Sequence, residues 1–194
     1  MSRQTRPSIA SALSHVALTL SVVGVVLLLN AGYVLAQSPD AATPVPAAIA
    51  PGAAESLVLV TPATGVQIYE CRASSRPGEY EWVFVAPEAD LFDTQGRRIG
   101  RHYDGPHWEA ADGSRIVASV KARADAPDGA AIPWLLLSAR SVGADGALSK
   151  VTSIQRTHTV GGLPPQMGCS RSTLGVSARV HYSAQYRFFR NGGD

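Results

Sequence analysis

The stretch VSARVHYSAQYRFFR, residues 176–190, alternates between two kinds of side chain over more than a dozen positions. Its even-numbered positions from 180 to 188 carry Val, Tyr, Ala, Tyr and Phe, while the odd-numbered positions from 179 to 187 carry Arg, His, Ser, Gln and Arg. Successive side chains of a β-strand point to opposite faces of the sheet, so this period of two predicts a strand with one buried face.

The same pattern recurs upstream. RIVASVKARA (115–124) follows an Asp-Gly turn at 112–113, and its alternation predicts one buried face, formed by Ile116, Ala118, Val120 and Ala122. Further short apolar runs are separated by turn residues, and nothing after residue 54 reads as a long amphipathic helix. We therefore predict a single all-β domain over 55–190, an antiparallel β-sandwich or a barrel-like fold, followed by a short tail at 191–194.

The first 36 residues read as a targeting segment. Arg3 and Arg6 precede the uncharged, mostly apolar run 16–36, which ends in Val-Leu-Ala before a polar stretch. This order is typical of a secretory signal peptide, here with cleavage after Ala36, and it predicts an exported protein of the periplasm or the extracellular space. The alternative is a retained membrane anchor, since the run is close to the length that spans a bilayer. The Pro- and Ala-rich residues 37–54 read as a linker.

Removal of the signal peptide would leave a chain without net charge. Two of the 17 basic residues and none of the 15 acidic residues precede residue 37, which leaves 15 of each sign. Nucleic-acid binding needs a basic surface, so no nucleic-acid partner is expected. Contact with a membrane is expected only through the N-terminal segment, and only if it stays uncleaved.

The two cysteines, Cys71 and Cys169, both follow the predicted cleavage site. In an exported protein an even number of cysteines favours a disulfide. A nucleophilic cysteine is the alternative, but neither residue lies in a known catalytic signature.

The stretch GRHYDGPHWEAADGS (100–114) holds the best candidates for chemistry. His102, Asp104 and His158 are the candidate catalytic residues of a hydrolase or a metal-dependent enzyme. His107 and His181 could add imidazoles, yet four histidines are an ordinary number for such a domain, so no metal ligand is assigned and no cofactor is expected.

Two other interpretations of this stretch stay open. Asp104, Glu109 and Asp112 lie close together in sequence, and paired carboxylates can catalyse glycoside hydrolysis, but Asp112 also suits the turn before Gly113. In the second interpretation, Gly-Pro at 105–106 forms a structural corner that lets Trp108 fill the end of the core. For a binding module, the candidate ligand contacts are His102, Tyr103 and Trp108.

Several phrases in fixed order resemble a family of exported bacterial and fungal domains of unknown function, the one numbered 3455. These phrases are GVQIYEC (65–71), G-x-H-Y-x-G-P-x-W (100–108), IPWLLL (132–137), V-T-x-I-Q-R-x-x-T-x-G-G (151–162) and Y-S-A-x-Y-x-F (182–188). The resemblance covers about 45–189 and implies a secreted single domain. His102 fits the family pattern, whereas position 107 there usually holds a small hydroxyl residue. Fungal members sometimes carry a malate-dehydrogenase label, which this sequence does not support because it has no dinucleotide-binding fingerprint.

The sequence thus predicts an exported, non-catalytic module that binds a small molecule or an envelope protein. The alternative is an enzyme centred on His102, and a purely structural envelope protein is a third class.

Overall fold

The computed structural model describes residues 44–193, and these fold into a closed barrel of eight antiparallel strands. Each strand pairs with the next, and β8 pairs with β1 to close the barrel. In chain order the strands are β1 Glu55–Ala73, β2 Tyr80–Phe92, β3 Arg98–Tyr103, β4 His107–Ala110, β5 Arg115–Ala124, β6 Trp134–Ser141, β7 Ser153–Gly161 and β8 Ser177–Asn191. Single 3-10 turns lie at Ala47–Ile49 and Arg171–Thr173. The predicted all-β class is confirmed, in its barrel-like form.

The alternation in β8 has the structural meaning that the sequence predicts. Tyr182, Ala184, Tyr186 and Phe188 are buried, and they belong to one core cluster with buried residues of every other strand except β3, whose partly buried Ile99 packs against it. An eight-stranded barrel has an interior just wide enough to be filled by side chains or to hold one small ligand.

Strand β1 is longer than the sequence suggests. The two short runs 56–60 and 65–71 join into one strand through Pro62, which pairs with Gln185 of β8. Within β1, a side chain at Gly65 would collide with the backbone of β2 at Glu88, so glycine is required for this close approach.

The register shifts in three strand pairs near one end of the barrel: β1–β2, β5–β6 and β7–β8. The pairing of β1 with β2 passes from Ala86 to Phe84 and leaves Val85 as the extra residue. In β5 the pairing with β6 skips Lys121, and the predicted buried face of β5 ends there: Val120 is 46% exposed. Bulges at barrel rims redirect side chains and often accompany functional sites.

The up-and-down topology gathers four loops at that same end: 74–79, 104–106, 125–133 and 162–176. A disulfide joins Cys71 in β1 to Cys169 in the last of these loops, as predicted. The bond closes a segment with a sequence separation of 98 residues and fixes the longest loop against the sheet.

Part of the stretch predicted as a linker packs on the outside of the barrel. Ile49 is fully buried in a second cluster with Ala126, Trp134 and Leu136, and its carbonyl accepts a 2.7 Å hydrogen bond from Nε2 of Gln155. The Pro/Ala-rich composition gives no indication of this contact, because it consists of only one buried isoleucine side chain and a hydrogen bond to one backbone carbonyl.

The predicted signal peptide lies outside the described residues. Within 44–193, no helix is long and apolar enough to cross a membrane.

Candidate binding cavity

A cavity of about 190 Å³ lies at the bulged end of the barrel. It extends into the barrel interior, and its lining combines apolar walls with a few polar side chains. The lining residues are Gln67, Phe84, Val85, Pro87, His102, Asp104, Gly105, Pro106, Trp108, Val120, Leu135, Leu137, Arg156 and Tyr186.

His102 and Trp108 form one wall as a stacked pair. They are directly opposed in the ladder between β3 and β4, so both side chains point to the same face. Their ring centroids are 3.9 Å apart with planes 12° from parallel, and the Tyr186 ring packs edge-on against both. Three aromatic rings held in this way form a rigid surface for a ligand.

His102 is held as a neutral imidazole. Its Nδ1 lies 2.8 Å from the carbonyl of His107, so Nδ1 carries the proton and donates, which leaves a lone pair on Nε2. Burial lowers the pKa of His102 to about 3; the hydrogen bond to His107 opposes this shift, and the positive charge of Arg156 adds to it. The ring is therefore uncharged at neutral pH.

The turn between β3 and β4 brings this pair to the cavity mouth. Gly105 has a φ of 99°, a backbone conformation that residues with a Cβ rarely adopt. A Cβ at this position would also collide with the His107 ring. His107 Nδ1 donates to the carbonyl of Asp104 at 2.7 Å, which closes the corner. The structural-corner interpretation of the Gly-Pro dipeptide is therefore confirmed for the turn itself.

Arg156 brings the positive charge to the cavity. Its Nε and Nη2 donate to the carbonyl of Pro133 at 3.2 and 2.8 Å. It forms no ion pair with any acidic residue of the described range 44–193. Burial raises the pKa values of Tyr69, Tyr182 and Tyr186, and the charge of Arg156 opposes the rise at each.

Two buried donors on side chains that line the same cavity as Arg156 lack partners among the described residues. The Nε2 of Gln67 and the indole Nε1 of Trp108 make no hydrogen bond, although the side chains are only 3% and 1% exposed. Gln67 lies near enough to the Tyr182 hydroxyl to lower the pKa of that group against the larger effect of burial, but outside hydrogen-bond geometry. Six other buried polar atoms of the described residues also lack partners, but of the eight only these two belong to side chains that line the cavity, where a bound ligand or water would satisfy them.

The structure separates the predicted site residues into two groups. His102 and Trp108 line the cavity, and Asp104 lies exposed at its rim. Tyr103 lies on the other face of β3, where its hydroxyl donates to Glu109 at 2.6 Å. His158 does not line the cavity and stacks on Trp134 of the outer cluster.

The other carboxylates of the 100–114 stretch have structural roles. Asp112 accepts hydrogen bonds from Ser114 and from the backbone of Ala147, which fixes two loops at the far end of the barrel. Glu109 accepts from Arg101 as well as from Tyr103. Within 44–193, no three side chains of the His, Cys, Asp and Glu types come together as metal ligands would.

Sequence reasoning missed Arg156 and Gln67. The signal for Arg156 was present: it lies two positions after Ile154, a fully buried core residue, and so shares its inward face. A charged side chain that faces the barrel interior indicates that this interior has a role beyond the packing of apolar side chains. The sequence gives no such signal for Gln67. Its apolar neighbours Val66 and Ile68 predict that they face the core and that Gln67 faces outward.

The geometry defines a class of protein: an eight-stranded up-and-down β-barrel with a mixed apolar and polar cavity at one mouth. The family model described as "Protein of unknown function (DUF3455)" matches residues 51–190, and the chain belongs to that family. The family resemblance found in the motifs is thereby confirmed. A comparison with curated proteins and one with solved structures found no match.

Proposed function

We propose that this protein is an exported binding module that holds one small molecule in the mouth of its barrel. The observation that carries the proposal is the cavity itself, in which apolar walls surround a small number of convergent polar groups. That combination is the usual composition of a small-molecule site, and barrels of eight strands use this position for it.

The cavity volume limits the size of the ligand. A dry protein cavity of roughly 150 Å³ binds benzene. At about 190 Å³, this cavity suits a single ring or a short branched chain with one small substituent. Leu135, Leu137 and Pro87 supply apolar surface for such a body, and the His102–Trp108 stack supplies an aromatic face.

The rim supports access from solvent. Phe84, Val85 and Val120 line the cavity and are also exposed, so they form an apolar rim at its mouth. Apolar side chains grouped in this way on a surface are typical of ligand-binding grooves. An apolar rim lets an apolar ligand leave water before it reaches the buried groups. The bulges at Val85 and Lys121 shape this rim.

The state of His102 favours binding over acid–base catalysis. A general base works best when its pKa lies near the operating pH, and a pKa of about 3 makes His102 a weak base. Its neutral ring instead offers a flat stacking surface and one hydrogen-bond acceptor. An enzyme built on His102 and His158 would need these two residues together, and His158 stacks elsewhere.

Export belongs to the same proposal. The Cys71–Cys169 disulfide fits an oxidising compartment such as the periplasm or the extracellular space. The basic and apolar order of residues 1–36, with cleavage after Ala36, remains the sequence reason for placing the protein there.

Saturation-transfer NMR with three ring-sized probes, phenol, benzamide and benzoate, tests the proposal. We expect at least one probe to bind the wild type, and we expect Val120→Tyr to weaken that binding at least about fivefold by closing the mouth. Val160→Tyr is the matched control, since Val160 is also an exposed strand valine but does not line the cavity. The proposal fails if no probe binds, or if both variants bind as the wild type does.

A further inference from the structure

We propose that the ligand of this cavity is a small organic carboxylate anchored by Arg156. The inference rests on the proposed binding function and names the chemical class of its ligand.

The first observation is a positive charge without a counterion. Arg156 borders the cavity and is partly buried, yet no acidic side chain of the described range pairs with it. Charges withdrawn from water are normally paired, because an unpaired one loses its hydration. The Pro133 carbonyl is neutral and takes only part of the donor capacity of a guanidinium, which has five N–H groups.

The neighbours of Arg156 do not neutralise it. Its charge acts on His102, Tyr182 and Tyr186, all of which are uncharged at neutral pH. Asp104 is the acidic residue among the lining side chains, and it is exposed at the rim, where solvent screens it. The inner part of the cavity therefore carries an uncompensated positive potential.

The second observation is independent of charge. Nε2 of Gln67 and Nε1 of Trp108 are buried donors without partners in the described residues, and both side chains line the cavity. Amide N–H, indole N–H and guanidinium N–H can only donate. A carboxylate can only accept, and its two oxygens have room for several bonds, so its chemistry matches all three donors of this cavity.

The apolar walls decide against an inorganic anion. A phosphate or sulfate would put charge and hydration against Leu135, Leu137 and Phe84, whereas a carboxylate on a ring or short chain presents its apolar end to them. The volume of about 190 Å³ accommodates a body of that size. Arginine is the residue best suited to hold the carboxylate end, through two parallel hydrogen bonds.

Isothermal titration calorimetry with benzoate and benzamide separates charge from shape, since the two molecules have nearly the same size. We expect the wild type to bind benzoate at least about tenfold more tightly than benzamide, as charge-assisted hydrogen bonds are the stronger kind. Arg156→Met should reduce this preference to about twofold or less. Arg140→Met is the control, because Arg140 is exposed on β6 and does not line the cavity, so this variant should keep the full preference.

Arg156→Lys covers the case in which the methionine variant does not fold. It keeps a point charge but loses the planar fork, so we expect a benzoate preference between those of the wild type and a neutral site. Equal affinity of the wild type for benzoate and benzamide overturns the carboxylate assignment and leaves the binding function standing. An unchanged preference for benzoate in Arg156→Met overturns the role of Arg156. Failure of both probes to bind the wild type overturns the carboxylate assignment and also counts against the binding function.

Discussion

Replacement of His102 by glutamine should remove a defined part of the acid sensitivity of this protein. The folded state holds His102 as a neutral, buried ring with a pKa near 3, whereas a histidine in the unfolded chain titrates near 6.5. Between these two values the unfolded state binds more protons, so stability is complete above about pH 6.5 and falls as the pH decreases through that window. Glutamine keeps a donor for the His107 carbonyl and has no proton to gain.

The expected magnitude follows from the two pKa values. At pH 5 the unfolded histidine is almost fully protonated and the folded one is not, which lowers the unfolding free energy by about 2 kcal/mol relative to pH 7. Urea denaturation at both pH values should therefore show a loss in the wild type that exceeds the loss in His102→Gln by about that amount. His181→Gln, a change at an exposed histidine of β8, should behave like the wild type. Equal losses in the wild type and in His102→Gln would refute the buried neutral imidazole.

Three further variants, each measured by urea denaturation, test other parts of the fold. Replacing both Cys71 and Cys169 by alanine opens a constraint across 98 residues and should cost about 4–5 kcal/mol; a loss below about 1 kcal/mol would contradict its role in restricting the unfolded chain. Ile49→Ala should cost about 2–5 kcal/mol because the side chain is fully buried, whereas a true linker residue would cost almost nothing. Gly105→Ala should cost more than about 1 kcal/mol and more than Gly78→Ala, since both glycines have positive φ but only Gly105 meets a neighbour; similar costs would contradict the clash with His107.

The sequence predicted the class of fold because the barrel is made of strands with one buried face. The apolar positions of the alternation in 176–190 correspond to buried residues of β8. The structure also has a turn at the predicted Asp-Gly position, 112–113. The choice between a sandwich and a closed barrel was not available from periodicity, because both use the same alternation. Closure depends on the pairing of β1 with β8, which are far apart in the chain.

Only part of the cavity lining could be predicted from the sequence, for a related reason. His102 and Trp108 stood out through their residue types, and their alignment across β3 and β4 follows from the short turn between them. Arg156 comes from β7 and Gln67 from β1, and only the closed barrel brings them to the same cavity. Tyr103 is a predicted ligand contact because of its aromatic ring, yet neighbours in a strand point to opposite faces, and Tyr103 lies outside the cavity.

His158 lies away from His102, although the sequence predicts both as members of one catalytic site. The sequence groups His158 with His102 because both histidines fall in strand-like or corner segments, but it gives no register to connect the two strands. The structure places it at a φ of 50° in an irregular part of the β7–β8 pairing, stacked on Trp134. Residue type alone could not indicate which side of the barrel it faces.

The most direct test of the binding site uses the three tryptophans, Trp82, Trp108 and Trp134. In a ¹H–¹⁵N spectrum each gives one indole signal, and only Trp108 lines the cavity. On titration with phenol, benzamide or benzoate, we predict that the Trp108 signal shifts with saturation while those of Trp82 and Trp134 stay in place. The account is contradicted if the Trp108 signal does not move with any of the three, or if a probe that binds moves the other two instead.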